Sequence, residues 1–351
     1  MRPMEFEPPR CPNRHCEAHR EPEPRFYRRV GSYQPRCRNE PIPRYECRTC
    51  GRGFSYQTFR MDYRDRRPHD NAPLFCALVS GTSLRQAARN LQLNCNSAQM
   101  KFRKLARHVA VLNRSLIAQL PPNPVLCFDE AESFEHRAIT PVTIPVLVDD
   151  YTKLVIAIDV AAIRRVAKRG SPRRRRLECY EAVNGKRLDR GRNCVRRVLG
   201  RLQRLLAGAT AVLVTDEKTS YGAECRRRFG DSLRHVTISS RLPRTRANPL
   251  FSVNLTEAMM RDNNSRLRRR SWCVSKRARM LQLQLALFSA YRNWHRPRTN
   301  FDPAERTPGA ILGICPKLEL NELVAWRQDW RRRSIHPASR NGHQTIAQWC
   351  A

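Results

Sequence analysis

Two close pairs of cysteines constrain the start of this chain more than any other feature. Cys11 and Cys16 close the knuckle CPNRHC, and Cys47 and Cys50 close CRTC, which runs on into Gly51 and Phe54. Residues 1–65 are rich in Pro, Arg and Cys and have no long apolar period, so a module there has too little apolar surface to fold on alone. Four thiolates on two tight turns suit a tetrahedral, structural zinc site. Gly51 permits the second turn and Phe54 packs beneath it. The first knuckle has four intervening residues and is wide, which leaves Cys37, His15 and His19 as substitute ligands. No nearby carboxylate suggests an open, catalytic metal position.

Charge sets the partner. Lys and Arg number 67 against 31 Asp and Glu, a net +36. Such an excess repels itself unless a polyanion is present, and the planar guanidinium suits phosphate. Nucleic acid is the expected ligand. The opening MRPMEFEPPRCPN has no apolar core of the signal-peptide kind. No apolar run reaches the ~18–20 residues that span a bilayer. A soluble cytoplasmic protein with no membrane partner is expected, and the 14 cysteines, scattered singly after residue 50, fit a reducing compartment rather than a disulfide scaffold.

Along the chain, Asp70 to Val79 predicts a first helix. A second starts at Ser83 and carries Leu84, Ala87, Ala88 and Leu91 on one face. Asn94 to Asn96 turns, and Ser97 opens a third helix through Leu105. This punctuation over 79–108 fits a helix-turn-helix, with Ala87 at the close crossing and Leu91 and Leu93 at the turn. Gln99, Lys101, Arg103 and Lys104 of its last helix are the candidate DNA contacts. PPNP at 121–124 breaks the chain. VLCFD (125–129), VTIPVLV (142–148) and KLVIAIDV (153–160) then read as strands, with Asp149-Asp150 in a hairpin turn. Residues 163–176, with the run Pro172 to Arg176, read as a loop. Arg196 to Leu206 is helical, AVLVT (211–215) is a strand, a helix holds Tyr221 and Cys225, and His235 to Ile238 is a further strand. Ser252 to Trp294 is helical and basic, and ELVAWRQDW (322–330) is a short amphipathic helix. Three antiparallel strands followed by alternating helices and strands give a mixed sheet with helices on both faces, as in the ribonuclease H-like fold.

In so basic a chain, acids at strand ends stand out. Asp129 ends VLCFD and Asp216 ends AVLVTD. If those strands are parallel neighbours, both carboxylates emerge at one edge and can hold Mg²⁺ or Mn²⁺ against a phosphate. A third acid from a later helix is either Glu257 or Asp262, which lie about 140° apart on a helix, so only one faces the site. Of Glu130, Glu132 and Glu135 one could assist the metal, but solvated or DNA-avoiding positions are favoured, and Asp149, Asp150 and Asp159 read as turn or strand-edge residues. The following segment offers Arg261, Arg266, Arg268, Arg269, Arg270 and Lys276 as phosphate contacts, and Trp272 as a stacking or core residue.

As an ordered set, CPNRHC, CRTCGRGFSYQTFR, the helix-turn-helix, FDEAESFEH, TDEKTSY and NPLFSVNLTEAMMRDNNSRLRRRSWCVSK resemble bacterial insertion-sequence transposases of the DDE, ribonuclease H-like superfamily with an N-terminal zinc ribbon. TPGAILGICPKLELNELVAWR is similar to their tails, and the resemblance covers roughly residues 8–330. It implies that Asp129 and Asp216 are the first two acids of a triad. It also implies action on terminal inverted repeats of double-stranded DNA, by a homo-oligomer assembled on that DNA in the bacterial nucleoid. Where the family places a Glu before Arg-x-Asn, this chain has Met260, so Asp262 or Glu257 takes over, or the chain is a silent relative. The expected architecture is multidomain α+β: a zinc ribbon over 8–62, a helix-turn-helix over 66–118, a ribonuclease H-like catalytic domain over 122–295 and a helical tail over 296–351. The expected reaction is metal-dependent DNA strand cleavage followed by strand transfer. The alternatives are a catalytically inactive, transposase-derived DNA-binding regulator and, on charge alone, a structural RNA-binding protein.

Overall fold

The computed structural model describes residues 6–35, 40–268 and 273–325. It is a mixed α+β protein that divides into two compact units, one built from the chain up to Leu74 together with the segment from Glu319, the other from Phe75–Leu318. Cys37, Arg269, Arg270 and Trp272 fall outside the described residues, as does the part of the expected 322–330 helix beyond Ala325, where α12 (Leu320–Ala325) ends.

The first unit holds a one-turn helix α1 (Glu17–Arg20) and a three-stranded antiparallel sheet, β1 (Tyr27–Tyr33), β2 (Ile42–Cys47) and β3 (Gly53–Ser55), in that order. It has more of a core than the sequence suggested. Phe6, Phe26, Tyr45, Phe54, Tyr56 and Phe59 are all buried together. Phe54 stacks near Phe26 and Tyr45, with ring centroids 6.3 and 5.9 Å apart, and meets Phe59 edge-on at 5.8 Å. These aromatics are scattered singly along the segment, so no periodicity announces them; turns and sheet registry gather them.

The second unit begins within α2 (Asn71–Val79), followed by α3 (Leu84–Asn90) and α4 (Cys95–Ile117). Ser83 caps α3 as expected: its hydroxyl accepts from Gln86 N while the Gln86 side chain returns to Ser83 N, a reciprocal capping box. Ala87 and Ala88 are buried at the crossing. Asn94 caps α4, which runs twelve residues past the expected end at Leu105. Its buried positions Leu105, Val109, Leu112 and Leu116 keep helical spacing, and they face α10 (Ala278–Trp294). Two polar contacts fix that packing, Trp294 Nε1 and Asn293 Nδ2 both donating to Asn113 Oδ1 at 2.8 and 3.0 Å.

The main sheet has six strands: β4 (Val125–Phe134), β5 (Pro141–Asp149), β6 (Val155–Ile158), β7 (Ala161–Ala162), β8 (Ala211–Asp216) and β9 (Leu233–Ile238). The order is β6-β5-β4-β8-β9, with β7 paired to β5; β4, β5 and β6 are antiparallel, and β8 runs parallel to β4 and to β9. Between β7 and β8 lie α5 (Pro172–Asn184) and α6 (Gly191–Leu206), and α7 (Thr219–Phe229) follows β8. The helices α8 (Phe251–Asn263), α9 (Ser265–Arg268) and α10 complete the unit, with α11 (Pro308–Ile311) after them. Strand alternation divides the faces. Cys127, Ala131, Val142, Ile144, Val146 and Val214 pack with Val253 and Met260 of α8 and Leu285 and Phe288 of α10. Phe128, on the other face of β4, meets Tyr221 of α7 with ring centroids 5.0 Å apart.

The segment at 172–176 is a correction: it is helix, not loop. Ser171 accepts from Arg174 N and Pro172 occupies the first turn, so the sequence carries a helix start that the charge run obscures. β4 is also longer than expected, and Asp129 lies midway along it rather than at its end.

Candidate metal and nucleic-acid sites

In the first unit the sulfurs of Cys11, Cys16, Cys47 and Cys50 all lie within 4.8 Å of one another, a group that could hold a metal such as zinc. Cys11 and Cys50 sulfurs are 3.6 Å apart, and Cys16 and Cys47 sulfurs 3.8 Å. A zinc ion bonded at about 2.3 Å to four tetrahedral thiolates sets sulfurs about 3.8 Å apart. The knuckles are shaped by backbone bonds: Cys16 N donates to Asn13 O, and Gly51 N donates to Cys47 O with Gly51 at φ +66°. His15 and His19 stay out of the group; His19 Nδ1 instead meets the carbonyl of Cys11 at 2.6 Å.

In the second unit, strand registry brings Asp129 and Asp216 together. Cys127 pairs with Val214 in the parallel ladder, and both belong to the face that packs on α8. Two residues further along each strand, on that same face, stand Asp129 and Asp216. The ladder between β4 and β8 stops at Cys127, so the two carboxylates stand where the strands part. Both line a cleft of about 330 Å³ together with Glu257, Asn254, Arg244 and Arg261.

Glu257 is the acid that α8 turns to the cleft. Val253 and Met260 anchor the helix in the core, and Glu257 lies between them on the buried side. Asp262 is exposed and does not line the cleft. At that end of α8 the backbone is occupied instead by the loop before α3: Gly81 N donates to Asn263 O, and a Cβ at Gly81 would lie 3.0 Å from the Asp262 carbonyl. Burial and the nearby charge of Asp129 push the Glu257 carboxyl up to about 7. One of its oxygens pairs with Arg261 at 3.1 Å; the other is buried without a hydrogen-bond partner. Asp129 is also raised, first by burial and then by Asp216. Among the described residues only the cysteines bring three or more ligand atoms within 4.8 Å, so the three acids line their cleft at a wider spacing.

The opposite face of β4 carries a network that sequence reasoning missed. Glu130, expected to be solvated, has only 10% of its side chain exposed and accepts from Lys218 Nζ, Tyr221 Oη (2.6 Å) and Thr143 Oγ1 (2.6 Å). Burial opposes its ionisation, but these donors outweigh burial and hold its pKa below the usual carboxylate range. Glu135 is likewise engaged, by Arg187 and by Ala278 N. Lys218 and Tyr221, three residues apart at the start of α7, were the available signal.

Of the expected DNA contacts, Gln99, Arg103 and Lys104 are half-exposed on α4, but Lys101 is buried and is removed from the set. Its spacing from Leu105 turns it toward the packed face. Arg266 is half-buried, its guanidinium 5.9 Å from the Phe102 ring centroid, whereas Arg268 is exposed.

Glu224 of α7 anchors the neighbouring arginines. Burial opposes its charge, but hydrogen bonds from Arg227, Arg228 and Arg196 draw its pKa down to about 2. A carboxylate depressed in the folded state adds stability above its unfolded value near 4.5, and this is lost as pH falls towards 2. With the arginines partly solvent-exposed, the contribution is about 1–2 kcal/mol. Urea midpoints measured from pH 5 to pH 2 should fall less steeply in Glu224→Gln than in the parent.

Comparison with known protein families and with curated proteins finds no match for this chain. No helix among the described residues is long and apolar enough to cross a membrane.

Proposed function

We propose that this chain is a DNA transposase of the DDE type, which cuts DNA at element ends and joins the freed end to a target. The observation that carries the reading is the cleft shared by Asp129, Asp216 and Glu257, with one buried, unpartnered oxygen on Glu257. Asp216 raises Asp129 and Asp129 raises Glu257, so a cation bound among them would relieve that repulsion. Asp129, Asp216 and Glu257 would hold Mg²⁺ or Mn²⁺, since these hard cations take carboxylate oxygens.

Such ions, when bound, neutralise the phosphate and activate the attacking oxygen. The chain's own residues supply the rest. Asp129 and Asp216 hold the cations from the sheet, and Glu257 closes the set from α8. Arg244 and Arg261, on the rim, meet the phosphate oxygens. In cleavage a water oxygen bonds to phosphorus, the bond from phosphorus to the 3′ oxygen breaks, and a free 3′-hydroxyl results. In transfer that hydroxyl attacks a second phosphodiester, whose own 3′ oxygen leaves. Three antiparallel strands followed by parallel ones support a reading of the main sheet as ribonuclease H-like, with α3 and α4 as a helix-turn-helix acting through Gln99, Arg103 and Lys104 and the four-cysteine unit as a structural zinc ribbon. The net +36 supplies affinity for DNA.

A catalytically silent DNA-binding regulator is the second reading, favoured by Met260, which fills the core where the family's third acid is expected. Supercoiled plasmid incubated with Mg²⁺ or Mn²⁺ separates the two. A nuclease nicks it, Glu257→Gln slows nicking about a hundredfold and Asp262→Asn leaves it unchanged. A regulator nicks nothing, and loss of nicking in Asp262→Asn alone would overturn the assignment of Glu257.

A further inference from the structure

On the face of β4 opposite Asp129, a second cleft of about 450 Å³ opens between α6 and α7. Glu130, Arg165 and Lys218 line it, and the same three side chains line a cleft of about 420 Å³ that contains Asp129 and Asp216. The two spaces therefore adjoin at Lys218 and Arg165. Charge reverses across that divide. The adjoining acid cleft carries five carboxylates, on Asp129, Glu130, Glu132, Asp216 and Glu217, against the cations of Arg165 and Lys218. The second cleft carries Arg165, Arg192, Arg196 and Lys218 against the carboxylates of Glu130, Asp189 and Glu224, an excess of one positive charge, with Arg165 itself paired to Glu132. Glu130 is held by Lys218, Tyr221 and Thr143, Glu224 by its arginines, and Asp189 by the amides of Arg164 and Gly191. The first turns of α6 and α7 border the same space, adding their positive ends.

We infer that this basic cleft seats the phosphodiester next to the scissile one on the cut strand, as a nucleotide unit with its phosphate towards Lys218 and Arg192. The inference rests on the nuclease reading of the acid cleft. The volume falls within the range of pockets that hold small ligands, and Ile163, Val195 and Ala223 give an apolar wall for a sugar or base. The acid cleft takes cations and the adjoining one takes the anion that continues the strand, so a single strand crossing the Lys218 divide meets complementary charge on both sides.

Arg192 and Ala223 are exposed, so Arg192→Glu and Ala223→Phe change the cleft without disturbing the core. The zinc-loaded full chain is titrated with two fluorescent random-sequence probes, a blunt duplex and a duplex with a single-stranded tail. Each variant should weaken binding of the tailed probe about tenfold and of the blunt probe less than twofold, and a neutral methylphosphonate tail should abolish the difference. Unaltered binding of the tailed probe by both variants would overturn the inference. Plasmid nicking by Asp129→Asn is measured alongside. Abolished nicking with unaltered tail binding sinks the inference alone. Parental nicking by Asp129→Asn sinks the nuclease reading, and with it the assignment of the neighbouring phosphate.

Discussion

Asp129→Asn and Asp216→Asn should each lower the rate of DNA nicking by at least about a thousandfold while leaving DNA affinity within about twofold. Asn keeps the size and polarity of Asp, so the strand and its neighbours are undisturbed; only the negative charge goes. That charge is costly to the fold in the absence of a cation, because Asp129 is raised by burial and by the carboxylate beside it. Asp129→Asn should therefore raise the melting temperature in metal-free buffer by a few degrees, as about 1 kcal/mol does in a domain of this size. Lost activity with gained stability is the signature of a functional acid. A merely structural Asp would lose stability and leave no metal-dependent activity to lose. Plasmid nicking and thermal melts on the same preparations read both quantities.

The second large effect belongs to the cysteines. Cys47→Ser, or metal removal by a strong chelator at neutral pH, should unfold the first unit and leave the second folded. Structural zinc contributes about 10–16 kcal/mol of apparent folding free energy in small modules. The aromatic cluster of Phe6, Phe26, Tyr45, Phe54, Tyr56 and Phe59 is buried around a three-stranded sheet of short strands and is too small to replace it. Hydrogen exchange should show amides of β1 to β3 losing protection together while those of β4, β5 and β8 retain theirs. Retained protection in β1 to β3 after zinc removal would show that the aromatic core is sufficient.

How far the sequence could be read follows from what each signal contains. The meeting of Asp129 and Asp216 was legible because two parallel strands with alternating burial leave little choice of face, and each acid continues its strand's apolar pattern by two. The choice of Glu257 over Asp262 was also written locally: Val253, Glu257 and Met260 share one helical face, and an acid between two core residues points inward. That phase went unread because a buried carboxylate looks improbable until the opposing acids are known. The Arg173–Arg176 run masked the helix start at Ser171 and Pro172, since charge density argues for solvent exposure and says nothing about backbone conformation. Lys101 was misjudged for a related reason: its charge argues for solvent, although its spacing of four from Leu105 already places it on the packed face of α4. The Glu130 network could not be read from β4 alone, because Lys218, Tyr221 and Thr143 come from two other elements.

The central claim is that the β4–β8–α8 cleft exists to hold divalent cations against DNA. Manganese titration followed by electron paramagnetic resonance, on zinc-loaded protein with duplex DNA, tests it directly. The parent chain should bind Mn²⁺ tightly enough to deplete the free-ion signal, and the Asp129→Asn/Asp216→Asn double variant should leave that signal at the level of DNA alone. Equal Mn²⁺ uptake by the two proteins would contradict the claim.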